Sequence, residues 1–251
     1  MGKKAIVFSC PHSTPEYPND RADWLGQLIV DEKPDYVIDL GDSADMNSLN
    51  SFDTKNPKAI MSKNYQADIE NHIDFQERIR APLAKRKKKR PKFYGFEGNH
   101  EHRIKTAIAH DPRLEGVKYG ISFSHLKTNK FYDEYFGYKN GAPQIKEIDG
   151  VLYAHWMGAY RPLSGMNHGR TLIQKRLQSC TVGHSHLRNV SFEDSAGAIG
   201  LVAGCFKGGD ESWAGQANEG WWRGVVIKHN IENGMYDPEF VSLKELERKY
   251  G

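Results

Sequence analysis

Cysteine is scarce in this sequence: its 251 residues include only three, Cys10, Cys180 and Cys205. Three cysteines cannot all pair with one another, and none of them stands in a C-x-x-C spacing. These two facts argue against a disulfide framework and against a zinc ribbon. We therefore expect the protein to work in a reducing compartment.

Long apolar runs are also missing. The N-terminal stretch MGKKAIVFSC holds too few apolar residues for a signal-peptide core, and no segment approaches the roughly 18 apolar residues that span a bilayer. The net charge is also small: the sequence has 35 Lys and Arg and 32 Asp and Glu, which gives a net charge of +3. We expect a cytoplasmic protein with no membrane partner; this charge permits a polyanionic partner but does not establish one.

The residues present are sufficient for a folded core, since 38% are hydrophobic and 11% aromatic. The chain length suggests a single domain over residues 1–251. The stretch around 113–141 is rich in aromatic residues, and we expect it to form a helical insertion that caps a site.

Two short apolar segments near the start of the chain predict a β-α-β unit. They are KAIVFS at Lys4 to Ser9 and DYVIDL at Asp35 to Leu40. Between them, apolar residues at helical spacing predict a helix that Pro34 ends. Polar loops follow both strands, and in open α/β sheets ligands bind at this edge.

The rest of the chain reads as further helices and strands. A helix is predicted from Asn64 to about Arg90, a strand from Lys92 to Glu97, and then a helix that stops at Asp111. The second half is richer in strands, with a hairpin around Asp149-Gly150. It is completed by a helix at about Thr171 to Gln178 and strands within CTVGHSHLR, RNVSFED, AIGLVAG and WWRGVVIK.

A basic run, KRKKKRPK, occupies Lys85 to Lys92. Such a run is typical of a nucleic-acid-binding patch. Basic residues are also favoured at the C-terminus of a solvated helix, where they face the negative end of the helix dipole. The second interpretation is favoured here, and the first stays open.

Polar side chains able to bind metals follow the predicted strand ends. A lone loop histidine is usually a surface or hydrogen-bonded residue, but so many at one sheet edge indicate a site. Imidazole, carboxylate and amide ligands suit Mn, Fe, Zn or Ni, and they are too rich in nitrogen for a Mg or Ca cage. The sequence thus predicts a transition-metal hydrolase. The residues are His12, Asp42, Asn99, His100, His155, His184 and His186.

The order of these residues resembles that of the calcineurin-like metallophosphoesterases, most closely their compact bacterial and phage members. The family pattern is DxH, GDxxD, GNH(D/E), a lone His after a strand, and GHxH. Here it reads Cys10-Pro11-His12, Gly41-Asp42-Ser43-Ala44-Asp45, Gly98-Asn99-His100-Glu101, His155 and Gly183-His184-Ser185-His186. The resemblance implies an α/β (α+β) fold: a four-layer αββα sandwich of two mixed β-sheets flanked by helices, with the metal site at the C-terminal ends of strands.

The resemblance also implies a dinuclear metal centre. The first ion would be held by His12, Asp42 and His186, with Cys10 where the family has an aspartate; the second by Asp42, Asn99, His155 and His184. Manganese is favoured for both divalent ions, with iron, zinc or nickel as alternatives. The two ions would polarise the phosphoryl oxygens and lower the pKa of a bridging water toward 7.

Three further residues match family positions near the reacting group. His100 resembles the general acid, and Asp45 the carboxylate that orients it. Asp45 is as readily explained as a loop-capping residue. Arg103 is placed to reach a phosphate oxygen, although an exposed arginine at a helix start is an equal interpretation.

Two departures from the family pattern bear on activity. A thiolate at Cys10 is a competent but softer ligand than a carboxylate, so the first site is functional but altered, weakened, or a degenerate or engineered position. We favour the functional but altered site. The residue after Asp45 is Met46, where phosphoprotein phosphatases of the superfamily carry an arginine that holds the phosphate. This argues against a Ser/Thr protein phosphatase.

Three functions remain open from the sequence. The favoured one is a phosphodiesterase or nuclease whose partner is a phosphodiester substrate such as DNA or RNA. Its support includes aromatic residues suited to base stacking: Trp156, Tyr160, Trp213, Trp221 and Trp222. The alternatives are a phosphomonoesterase or cyclic-nucleotide phosphodiesterase, and a metal-binding module that Cys10 has made catalytically quiet.

Overall fold

The computed structural model of the protein describes residues 2–51, 61, 63–84, 90–158, 167–211 and 214–251. Its strands are β1 (Lys3–Phe8), β2 (Tyr36–Asp39), β3 (Lys92–Phe96), β4 (Glu134–Phe136), β5 (Tyr138–Lys139), β6 (Ala142–Pro143), β7 (Lys146–Ile148), β8 (Val151–Ala154), β9 (Ser179–Val182), β10 (Arg188–Glu193), β11 (Ala198–Ala203), β12 (Gly224–Glu232) and β13 (Met235–Ser242). Its α-helices are α1 (Asp20–Glu32), α2 (Tyr65–Ala84), α3 (Asn99–His110), α4 (Thr128–Phe131), α5 (His168–Arg176), α6 (Ala217–Gly220) and α7 (Leu243–Tyr250).

The larger strands form two mixed sheets. One has the order β13-β12-β1-β2-β3-β4, in which the four strands from β1 to β4 run parallel to one another. The other has the order β10-β11-β9-β8-β7, with β11, β9 and β8 parallel. Strands β5 and β6 form a small separate ribbon.

The two sheets pack face to face and carry helices on their outer faces. Helices α1, α2 and α7 cover the six-stranded sheet through Leu25, Phe75 and Leu246, among other side chains. Val7 and Ile38 from that sheet meet side chains of the other in the core between the sheets. Helix α5 covers the far face of the five-stranded sheet. The predicted αββα sandwich is thus confirmed.

Burial on both faces explains the sequence of the central strands. In β1 the run Ala5 to Phe8 is completely buried and apolar at every position, as expected for a parallel strand covered on both sides. Alternation of polar and apolar residues is therefore absent there. The polar residues begin only where each strand ends, and parallel strands place those ends at one edge of the sheet.

The segment 113–141 differs in part from the expected helical insertion. Its first part does contain short helical turns, Pro112–Leu114, Phe123–Leu126 and α4. Its last part is β4, a strand of the larger sheet. Of its aromatic residues, Phe131 and Tyr132 are buried in the core beneath α2, so their aromatic character reflects packing.

Two elements at the C-terminus were not expected from the sequence: β13 and α7. Strand β13 pairs with β12 through a two-residue turn at Asn233-Gly234, where both residues have positive φ. This Asn-Gly pair is a strong hairpin signal in the sequence. Strand β13 contains Pro238 and charged residues, which suit an edge strand.

Some predictions fall on parts of the chain that are not described. Most of the basic run lies outside the described residues, as do Tyr160 and Trp213. Among the helices that are described, none is both long and apolar enough to cross a membrane.

One lysine, Lys228 on β12, is completely buried in the interior of the sandwich. Its Nζ donates to Thr181 Oγ1 at 2.6 Å and to Tyr153 Oη at 3.1 Å. The ring centroid of Tyr236 lies 4.0 Å from the same nitrogen. Burial lowers the pKa of Lys228 well below its usual value, because the charged form loses its hydration.

We expect this buried amine to give the fold a measurable pH dependence. Between the lowered folded pKa and the unfolded pKa near 10.4, the unfolded chain binds a proton that the folded chain lacks. The free energy of unfolding therefore rises with pH in this window, by up to about 1.4 kcal/mol per pH unit. Urea unfolding of the wild type and of Lys228→Met over about pH 7 to 10 measures this rise.

The substitution should remove the rise, whereas Lys139→Met, at an exposed position, should leave it intact. An identical pH dependence in the wild type and Lys228→Met would show that Lys228 remains protonated in the fold.

Candidate metal centre

Five loops meet at one edge of the sandwich, and they carry the metal-binding side chains predicted from the sequence. The loops follow β1, β2, β3, β8 and β9, and therefore belong to both sheets. Several of their residues adopt left-handed backbone conformations: Cys10, His12, Asp42, His184 and His186 have φ between 44° and 65°. Such φ values are uncommon for residues other than glycine and cost about 1–3 kcal/mol each, so their clustering points to a functional site.

Two motif glycines allow these loops to approach closely. A Cβ atom at Gly98 would collide with the carboxylate of Asp42, and one at Gly183 would collide with Ser9 Oγ. Any larger residue at either position would separate the strand ends. Each glycine immediately precedes a predicted ligand, Asn99 or His184, so the close approach and the ligand positions depend on one another.

The predicted second-ion ligands surround His155. Its Nδ1 lies 2.8 Å from the carbonyl oxygen of Leu40, which only accepts, so Nδ1 carries the proton and Nε2 carries a lone pair. This Nε2 lies 3.1 Å from Asp42 Oδ2, 3.1 Å from Asn99 Oδ1 and 3.2 Å from His184 Nδ1. Lone pairs converge here from four side chains. A divalent cation satisfies all of them at once, so the donor set fits a metal ion.

The predicted first-ion ligands surround His12 in the same way. His12 Nδ1 donates to Asp45 Oδ1 at 2.7 Å, which leaves a lone pair on Nε2. That nitrogen lies 3.1 Å from His186 Nε2 and 3.8 Å from Asp42 Oδ2. Burial lowers the pKa of His12 to about 3 and that of His186 to about 2. Both imidazoles are therefore neutral at physiological pH, as metal ligation requires.

Asp42 lies between the two groups and contacts both. Its side chain is only 2% exposed, and Oδ1 also accepts the backbone N–H of His100 at 2.8 Å. Burial raises the pKa of Asp42, but its electrostatic and hydrogen-bond interactions with His155 and with the neighbouring histidines outweigh burial and hold the pKa well below its usual range. An ionised carboxylate at this position is suited to bridge two ions.

Cys10 is buried and its sulfur faces both groups. The thiol sulfur lies within 4.8 Å of ligand atoms of His12 and His186, and also of Asp42 and His155. Sγ accepts the backbone N–H of His184 at 3.2 Å. Burial, with the nearby charge of Asp42, raises the pKa of the thiol well above its usual value. A bound cation is therefore needed to make Cys10 a thiolate.

His100 and Asp45 are held together at the rim of the centre. His100 Nδ1 lies 2.8 Å from Asp45 Oδ1 and 2.9 Å from the Asp45 carbonyl oxygen, so Nδ1 donates and Nε2 is directed away from Asp45. Burial raises the pKa of Asp45, but its hydrogen bonds with His100 and His12 outweigh burial and leave the pKa well below its usual range. Asp45 thus orients two histidines at once.

Arg103 is neither exposed nor remote from the site. Its Nη1 donates to the Asp45 carbonyl oxygen at 2.9 Å, and Nη2 lies 3.4 Å from His100 Nε2. The guanidinium is therefore fixed by the loop that carries Asp45, beside the predicted general acid.

Glu101 supports the site and was not singled out from the sequence. Its buried carboxylate accepts three backbone N–H groups, from Gly98 at 2.9 Å, Asp42 at 3.0 Å and Ala44 at 2.9 Å. It therefore joins the loop after β2 to the start of α3. A signal was available, because a residue that accepts the N-cap N–H is expected three positions into a helix, as in a capping box.

The sequence profile of the calcineurin-like phosphoesterases matches residues 3–237. The chain belongs to this family. It is therefore a metal-dependent phosphoric ester hydrolase. No curated protein matches the sequence.

Several solved structures resemble this phosphoesterase at low sequence identity. Vacuolar Protein Sorting 29 from Cryptosporidium parvum is 10% identical, with a TM-score of 0.43, and the match covers 96% of this chain and 97% of that one. YfcE, a phosphoesterase from E. coli, is 11% identical with a TM-score of 0.40, over 96% and 99% of the two chains. A conserved uncharacterized protein from Streptococcus pneumoniae TIGR4 is 10% identical with a TM-score of 0.39, over 97% and 91%. Similarity this distant carries no conclusion about substrate.

Substitution of Cys10 should show whether this residue is a metal ligand or a degenerate position. We expect the wild-type phosphoesterase to bind two divalent ions per chain, and Cys10→Ser to lower the affinity for one of them by at least about tenfold. Cys10→Asp should keep both ions but favour harder ones, because a carboxylate replaces a thiolate. Metal titration with elemental analysis measures both effects.

Cobalt provides an independent readout. Cobalt-loaded wild type should show thiolate-to-metal charge-transfer absorption, and Cys10→Asp should not. Cys180→Ser, at a buried cysteine in the core outside the centre, is the matched control. If Cys10→Ser bound both ions with wild-type affinity, Cys10 would not be a ligand.

Proposed function

We propose that this phosphoesterase hydrolyses phosphodiester bonds in nucleic acids or nucleotides, with manganese as the favoured metal. The observation that carries the proposal is a pair of half-buried tryptophans beside the metal-ligand histidines. The ring centroid of Trp156 lies 6.5 Å from that of His184, and the ring centroid of Trp221 lies 4.4 Å from that of His186. Aromatic rings in such positions are suited to stack on bases on either side of a bound phosphate.

The loop after β2 supports a diester rather than a phosphoprotein substrate. Met46 stands where phosphoprotein phosphatases of the family have an arginine. Its side chain is completely buried and packs against Ile69, Ile104 and Leu126. No cation is available from that position for a doubly charged monoester. A diester carries a single negative charge, and Arg103 beside His100 is placed to contact it.

The proposed mechanism assigns each side chain a separate task. Cys10, His12, His186 and Asp42 would hold one ion, and Asn99, His155 and His184 would hold the other together with Asp42. When bound, the ions polarise phosphoryl oxygens and lower the pKa of water. This would supply a nucleophile without a protein side chain.

His100 would supply the proton for the leaving group. Asp45 holds Nδ1 at 2.8 Å, so the ring presents Nε2 to the substrate. The proton at Nε2 passes to the leaving alkoxide oxygen. Arg103, 3.4 Å from Nε2, would contact a non-bridging oxygen of the same phosphoryl group.

Replacement of His100 should remove proton transfer and leave metal binding intact. We expect His100→Asn to lower kcat by about 10²–10⁴-fold on a substrate with an alkoxide leaving group, with unchanged metal content. The loss should be much smaller with a nitrophenolate leaving group, which departs without a proton. Equal losses on both substrates would contradict general-acid catalysis by His100.

The substrate class is tested by comparing two chromogenic esters. A phosphodiesterase should release nitrophenol from bis(p-nitrophenyl) phosphate faster than from p-nitrophenyl phosphate in the presence of Mn²⁺. Hydrolysis of the monoester alone would overturn the proposal in favour of a phosphomonoesterase. No metal-dependent hydrolysis of either ester would favour the catalytically quiet module.

Stacking is tested with an oligonucleotide and with the same diester lacking bases. Trp156→Leu should raise KM for a single-stranded oligonucleotide about tenfold, in line with 1–3 kcal/mol per stacked base, while Trp156→Phe should restore most of the affinity. Neither variant should change KM for methyl p-nitrophenyl phosphate. An unchanged KM for the oligonucleotide would show that Trp156 does not contact bases.

A further inference from the structure

An ion pair with a buried lysine lies beside the first group of metal ligands. It is formed by Lys207 and Glu211, in the loop between β11 and α6. Lys207 is only 3% exposed. A carboxylate oxygen of Glu211 lies within 4.8 Å of a ring nitrogen of His12 and of a carboxylate oxygen of Asp45. Glu211 therefore borders the group formed by Cys10, His12 and His186.

The backbone of Glu211 is fixed at two points by one side chain. The amide of Asn218 accepts the N–H of Glu211 through Oδ1 at 2.9 Å and donates to its carbonyl oxygen through Nδ2, also at 2.9 Å. The same Nδ2 lies 2.9 Å from the carbonyl oxygen of Gly215. This clamp holds the loop so that the Glu211 side chain stays at the edge of the metal centre.

The donor set of the first group lacks one carboxylate. His12 and His186 are neutral ligands, and Asp42 is shared with the second group. Cys10 occupies the position where the family has an aspartate, so the group offers a sulfur where the family pattern has a second carboxylate. An ion at this position therefore meets fewer oxygen donors than that pattern provides, and the carboxylate of Glu211, within 4.8 Å of a ring nitrogen of His12, lies close enough to add one.

We propose that Glu211 is a ligand of the first metal ion and supplies the carboxylate that Cys10 replaces. This inference rests on the proposed function, because it requires that the centre bind metal. Glutamate has three side-chain torsions, so its carboxylate exchanges Lys207 for the ion without movement of the clamped backbone.

Lys207 holds the carboxylate when the ion is absent. A buried ammonium needs a partner, and it has a second one within reach. The Trp221 ring centroid lies 5.6 Å from Lys207 Nζ, close enough for a cation–π contact once Glu211 turns to the metal. Lys207 and the ion thus compete for Glu211. This competition predicts that removal of the Glu211 charge and removal of the Lys207 charge have opposite effects on metal affinity.

The test is metal titration of the metal-free full-length protein with Mn²⁺ and with Zn²⁺, by calorimetry and elemental analysis. Glu211→Gln should lower the affinity for one of the two ions by at least about tenfold and leave the affinity for the other unchanged. Lys207→Met, which keeps the length of the side chain but removes its charge, should raise the affinity for the same ion. Glu219→Gln, an exposed acid on the nearby α6, should change neither.

Opposite signs exclude a purely structural role for the ion pair. Both Glu211→Gln and Lys207→Met break the same ion pair, so a purely structural pair would shift metal affinity in the same direction in both variants. That result, or two ions bound to Glu211→Gln at wild-type affinity, overturns the inference and leaves the proposed function intact. If the wild type bound no divalent ion, the proposed function would fail with it.

Discussion

The centre depends on one buried charge, the carboxylate of Asp42. Burial of an ionised carboxylate costs several kcal/mol unless nearby charge compensates it. The histidines provide this only if they are protonated, yet burial lowers the pKa of His12, of His184 and of His186 to between about 2 and 4. Neutral imidazoles around an anion leave its charge unbalanced. Divalent ions resolve this conflict, because they use the imidazole lone pairs and neutralise the carboxylate together.

The surrounding structure holds this carboxylate in place from several directions. The N–H of Asp42 donates to Glu101, and its carbonyl oxygen accepts from the N–H of His12 at 2.9 Å. Gly98 allows the next loop to lie directly against it. The left-handed residues around it cost conformational free energy, which is tolerated because the strands beneath are buried on both faces. The strained loops at the edge therefore depend on the rigid core beneath them.

The architecture, and the polar residues that meet at one edge of the sandwich, could largely be predicted from the sequence for a local reason. Each central strand is a short apolar run that ends abruptly in a polar loop, and parallel pairing brings those loop starts to one edge. Strand β4 was not visible, because Glu134 to Phe136 is too short to show a pattern. Strand β13 shows no clear alternation, because Pro238 and charged residues interrupt its apolar positions, although Asn233-Gly234 marks the turn before it.

Contacts between distant parts of the chain could not be predicted from the sequence. Nothing in the pattern around Glu211 indicates that its carboxylate lies near His12, almost 200 residues earlier. The same holds for Lys228, whose burial depends on the packing of the two sheets. The left-handed conformations of Cys10 and His12 are equally invisible, because they follow from how the loops meet.

The two halves of the centre differ in the chemistry of their donors. The half around His155 offers imidazole nitrogens with carboxylate and amide oxygens, a set that suits Mn or Fe. The half around His12 adds the sulfur of Cys10, which favours a softer ion such as Zn or Fe(II). A carboxylate from Glu211 would add an oxygen donor there without removing this preference. The donor chemistry therefore differs between the two halves, and Asp42 is the side chain that lies near both His12 and His155.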